Sequence, residues 1–154
     1  MGQVYNLVSK FKRKHSFTIA TRIKKHSKII EDILDRDEKV LHAFCGQKND
    51  DNAALFQSCV VALTNKRIII GQKRIAYGYF ITSITPDLFN DLKIHAGLFW
   101  GMVIIDTAKE LVYVSNLDKG SLDEIETNVN RIMLEDKQRN YHHMEERHET
   151  REEK

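Results

Sequence analysis

Few side chains in this sequence are both reactive and spaced for chemistry. His142, His143 and His148 stand among glutamates near the C-terminus, residue types that ligate a divalent metal. On a helix, however, the five-residue step from His143 to His148 puts the two imidazoles off one face, whereas a closed site needs fixed geometry, so this stretch reads as a solvated tail. Cys45 and Cys59 are the only thiols, without the tight spacing of a metal or redox motif. They read as reduced, buried groups packing as small apolar side chains. Asp106, Glu110 and Asp118 fall near predicted strand ends, where turn and solubility roles suffice. No nucleophile stands beside a base, and no glycine-rich phosphate loop occurs. The reading is a non-enzyme with no catalytic residue, no metal and no cofactor.

Charge is more informative once divided by position. Residues 1–30 hold eight Lys or Arg and no carboxylate, a charge of +8, while the other 124 residues hold 16 basic and 22 acidic groups, a charge of −6. Lys10, Lys12, Arg13, Lys14, Lys24 and Lys25 are the candidate contacts to an anionic surface, and Phe11, Phe17, Ile19 and Ile23 accompany them at helical spacing. That mixture suits a membrane interface, with lysines at the head groups and apolar groups at the acyl boundary. The same stripe also suits protein packing, so Ile19, Ile23, Ile30 and Ile33 are the candidate contacts to the chain's own barrel or to a second copy. An acidic body without a basic-aromatic platform argues against specific nucleic-acid readout. Lys66, Arg67, Lys73 and Arg74, at the turn and far end of one strand, could contact phosphate but read first as solvated charges, with Arg67 also able to support the turn by hydrogen bonding. Met1-Gly2 opens like a myristoylation signal, but Asn6 stands where Ser or Thr is required. Without a signal-like apolar segment the expected address is cytoplasmic, with peripheral membrane association as the alternative.

Three kinds of element must position these groups. Val4, Leu7, Val8 and Phe11 predict one helix, and Ile19, Ile23, Ile30, Ile33 and Leu34 predict a second over about 17–34, with a break near His15 to Thr18. From Lys39 the texture changes to short strands at about 39–45, 54–63, 67–73, 79–84, 89–96, 99–106 and 110–114. Turn signals recur every eight to twelve residues, Thr85-Pro86-Asp87 among them. Seven such strands imply an antiparallel barrel or sandwich. Ser121 followed by Glu124 predicts a capping box at the start of a last helix. Leu122, Ile125, Val129, Ile132 and Met133 give that helix one apolar face, and beyond Leu134 it either continues or frays.

Four landmarks carry a family resemblance. Glu38-Lys39-Val40-Leu41 leads into the first strand, Leu63-Thr64-Asn65-Lys66-Arg67 forms a hairpin turn, Gly97 to Gly101 joins two later strands, and Ser115-Asn116-Leu117 precedes the helix. In this order they resemble the bacterial pleckstrin-homology (PH) domains, including the YokE-like branch, and more distantly the GRAM domains. The resemblance implies an α+β, mainly β fold: a seven-stranded, bent antiparallel barrel capped by the C-terminal helix. Residues 1–36 would be a basic helical extension, 37–134 the barrel with its helix, and 135–154 a charged tail. It also implies an interaction module, with a protein partner that includes copies of itself. Eukaryotic PH domains bind phosphoinositides through a basic first loop. Here that loop, Gln47 to Asn52, sets Asp50 and Asp51 against Lys48 alone, so the lipid site is not carried over.

Overall fold

The computed structural model describes residues 2–48 and 57–152. Seven antiparallel strands, β1 (Val40–Gln47), β2 (Ser58–Thr64), β3 (Ile68–Lys73), β4 (Tyr79–Ile84), β5 (Phe89–Ala96), β6 (Trp100–Thr107) and β7 (Leu111–Asp118), form one curled sheet in the order β4-β3-β2-β1-β7-β6-β5. Helices α1 (Gln3–Lys14) and α2 (Ile23–Glu31) precede it, and α3 (Leu122–Glu152) follows a 3-10 turn at Lys119–Ser121. This is the antiparallel, α+β architecture that the strand pattern predicts and that the resemblance implies. The predicted start of the second strand at 54–56, and residues 49–52 of the loop before it, lie outside the described residues.

The curl is set by one narrow junction. Among the described residues β1 is in register with β7 only at Gln47 and Ser115, where the Ser115 hydroxyl donates to the Gln47 carbonyl and the Asn116 amide donates to the buried Gln47 side chain. Asn116 reaches this position with φ of 56°, a left-handed conformation that Asn tolerates better than most residues. The expected exit segment at Ser115–Leu117 is therefore the end of β7, which runs four residues past its predicted limit.

The sheet repeats one design. Val40 pairs with Thr64 and Phe89 with Thr107, and each pair is followed by a bulge. The Asn65 N–H then donates to the Lys39 carbonyl, as the Ala108 N–H donates to that of Leu88. Thr64 and Thr107 each close a hairpin by accepting on the hydroxyl from the amides two and three residues ahead.

Burial explains the helices. Val4, Val8 and Phe11 of α1 are buried against β1, and Leu122, Ile125, Val129, Ile132 and Met133 of α3 face the core as their spacing predicts. Cys45 and Cys59 are buried and free, and burial pushes both thiols up to about 12.

Three local expectations are corrected. The second helix starts at Ile23, not near Phe17, because the connector before it spends its polar groups on the sheet. Ile19 N–H donates to the Asn116 carbonyl, Thr21 N–H to Ser58 Oγ, and Thr18 Oγ1 accepts from Asp118 N–H. The Ser121–Glu124 capping box does not form. Ser121 donates to the Asp118 carbonyl instead, and Glu124 turns to His15 at 2.7 Å and Lys14 at 3.2 Å. Lys66 pairs with acidic neighbours rather than standing alone in solvent, whereas Arg67 supports the turn by hydrogen bonding as expected.

Candidate functional site

The turn that carries the family resemblance is a structural lock. Arg67 donates from Nε and Nη2 to the two Glu38 carboxylate oxygens, both at 3.0 Å, and also to Ser83 Oγ and the Ile33 carbonyl. Thr64 donates to the same carboxylate at 2.7 Å, and Lys66 pairs with Asp35 and Asp37. Burial would raise the Glu38 carboxyl, but Arg67, the Asp35 N–H and Thr64 together hold it at about 2. In the second half of the sheet the equivalent positions are Asp87 and Glu110, two acids that cannot pair. The partners of the lock are one another, with the Glu38 side chain fully enclosed among them.

A second cluster lies where α2 meets the end of β3. Arg22, at φ of 55°, donates to the carbonyls of Lys73 and Arg74 and so fixes the start of α2 beside the end of β3. His26 Nδ1 accepts from the Lys73 N–H at 2.8 Å. Burial, aided by the nearby Arg22 charge, lowers the His26 imidazole to about 4 and keeps it neutral. Gly71 permits this close approach, since a Cβ there would lie 2.5 Å from Ile30 Cγ1. The result is a groove of about 740 Å³ lined by Tyr5, Lys24, Lys25, Lys28, Ile29 and Lys73 among others. Its acids are engaged: Glu31 accepts from the Tyr5 N–H, and Asp32 pairs with Lys28. Lys24, Lys25 and Lys73 have no salt bridge among the described residues.

Lys73 also lines a neighbouring hollow of about 660 Å³ under the β3–β4 hairpin, with Arg74, Ile75, Tyr77 and Phe80. Ile75 is 62% exposed and Tyr77 83% exposed, with Tyr79 and Phe80 also open to solvent. The Arg74 guanidinium sits 5.2 Å from the centre of the Phe80 ring. Lysine groove and apolar hairpin are therefore one surface, joined at Lys73.

The sequence-derived candidates divide between this surface and other places. Lys24 and Lys25 lie in the groove, Lys10 and Arg13 stand exposed on α1, Lys12 donates to the Thr18 carbonyl, and Lys14 pairs with Glu124. Ile30 is fully buried beneath Gly71, while Ile23 and Ile33 are half-buried against the same core and Ile19 is half-buried in the connector. Their stripe is largely occupied by the chain's own sheet. Sequence reasoning weighed Lys73 and Arg74 as phosphate contacts or solvated charges and did not single out the hairpin from Ile75 to Phe80. Three aromatics within four positions of a turn were the available signal. The tail histidines pair locally along an exposed helix, His142 with Glu145 and His143 with Glu146. Among the described residues no group of three His, Cys, Asp or Glu is placed to hold a metal ion, and no helix is long and apolar enough to cross a membrane.

The curled seven-stranded sheet with its closing helix defines a PH-like binding domain. The family model described as Bacterial PH domain matches residues 34–131, and the chain belongs to that family. Neither the curated proteins nor the solved structures contain a match to it.

Proposed function

We propose that this domain is a non-catalytic module that docks on anionic membrane surfaces through the groove of Lys24, Lys25, Lys28 and Lys73 and the adjoining β3–β4 hairpin. The observation that carries the reading is the continuity of the two halves at Lys73. Cations beside exposed aromatic and aliphatic side chains suit the boundary between head groups and acyl chains. Each lysine near an anionic leaflet contributes about 1 kcal/mol, an attraction that salt screens. Sedimentation with phosphatidylcholine vesicles, with and without phosphatidylglycerol, tests this reading. Binding should require the anionic lipid and weaken with salt, and binding unaffected by both would reject it.

Protein interaction, including self-association, is a second reading, favoured by a different feature. Among the described residues β4 pairs only with β3, so its outer edge carries backbone groups unpaired among them, beside exposed Tyr79 and Phe80. A solution mass that rises with concentration, and falls back on Phe80→Lys, would support edge pairing. A monomer at all concentrations would remove it.

A further inference from the structure

A second apolar projection lies at the β5–β6 turn. The turn closes with Gly97 N–H donating to the Trp100 carbonyl at 2.8 Å, and its apex presents Leu98 at 80% exposure, followed by Phe99 and Trp100. Phe17, 61% exposed, reaches the same place from the connector between α1 and α2, where its carbonyl accepts the Trp100 indole N–H at 2.7 Å. Single exposed apolar side chains are ordinary, but four large ones gathered from two chain segments are not.

We propose that Phe17, Leu98, Phe99 and Trp100 form a wedge that enters the interfacial layer of an anionic bilayer, a second contact that rests on the membrane reading of the lysine groove. Two polar groups of the tip are already paired. The indole N–H has Phe17, and the Phe99 carbonyl accepts from the Lys119 N–H, so neither donor nor acceptor is stranded when water is displaced. The tip is a convex hairpin apex, a shape that inserts into a yielding phase.

Charge agrees with an anionic bilayer. Lys119 adjoins Phe99 and Arg13 lies four residues before Phe17, both exposed, while the neighbouring Asp118 carboxylate accepts from the amides of Phe17 and Gly120. Distance agrees as well. Phe17 touches Trp100, and Arg22 touches the Lys73 and Arg74 carbonyls beside the groove. The five residue steps between them span at most about 18 Å, within the reach of one contact area.

Trp100 is the only tryptophan of the chain, so the wedge carries its own reporter. The full chain is mixed with phosphatidylcholine–phosphatidylglycerol vesicles, with and without brominated acyl chains, while sedimentation measures binding separately. The wedge requires a blue shift of Trp100 emission and quenching by bromine. Leu98→Asp, at an exposed apex, should weaken vesicle binding by about tenfold or more with unchanged far-ultraviolet dichroism. Vesicle binding with unmoved Trp100 emission, and equal binding by Leu98→Asp, would overturn the wedge and leave the groove reading standing. Absence of vesicle binding would overturn both. A blue shift that tracks protein concentration without lipid would assign the tip to protein contact and likewise overturn the wedge.

Discussion

Arg67 shows how much a single side chain holds together. Its partner Glu38 has no exposed side-chain surface, so removal of the guanidinium leaves a buried carboxylate without its cation. Arg67→Met should cost roughly 3 kcal/mol or more in urea unfolding, whereas Lys66→Met, losing exposed pairs only, should leave the urea midpoint nearly unchanged. Acidity should act through Glu38 in a lower window and through His26 in an upper one, where His42, also lowered by burial, adds to the effect. Glu38 is depressed from 4.5 to about 2, so its contribution is present above 4.5 and disappears as the pH falls toward 2. His26 is depressed from 6.5 to about 4, so the unfolded chain takes up a proton that the native imidazole refuses. Stability should therefore begin to fall below pH 6.5. Urea midpoints from pH 7 to 3 check both, and His26→Gln should reduce the slope in the upper window, where His42 still acts, while leaving the lower one.

At the scale of elements, the seat of α2 on β3 depends on the bare backbone at Gly71. Gly71→Val places branched carbons where Ile30 and the His26 carbonyl already stand, and should destabilise the fold by about 1–3 kcal/mol through overpacking. Faster amide exchange in α2 than in β2 would identify which packing surface opened. The far end of α3 is the opposite case. Lys137 donates to the Phe89 carbonyl and lies over its ring, but Tyr141 and Met144 are exposed. Truncation after residue 140 should therefore leave the urea midpoint close to that of the full chain. The strands and the inner face of α3 were legible in the sequence because alternating and helical periodicities record burial directly. The connector from Phe17 to Arg22 was not. Its apolar residues fit a helical stripe, while the hydrogen bonds that hold it extended come from Asn116, Ser58 and Asp118, far away in the chain.

At the scale of the whole molecule, the N-terminal helices pack on the sheet, α1 against β1 and α2 against β3. Their docking divides the +8 charge of the first 30 residues. Lys12 and Lys14 are drawn into internal contacts, while Lys24 and Lys25 are brought to Lys73. The basic character of the candidate site was visible in the sequence, but its location was not, because Lys73 and Lys24 are neighbours only after α2 has folded onto β3. The apolar half was hidden for another reason: Tyr79 and Phe80 read as strand residues, and only their position on the open edge makes them surface. The measurement that tests the central claim most directly compares the wild-type chain with Lys24→Glu/Lys25→Glu in binding to phosphatidylglycerol-containing vesicles across a salt series. The two variant sites should lose about 2 kcal/mol or more, about thirtyfold, at low salt, with the difference shrinking as salt rises. Equal binding by the two proteins at every salt concentration would contradict the account.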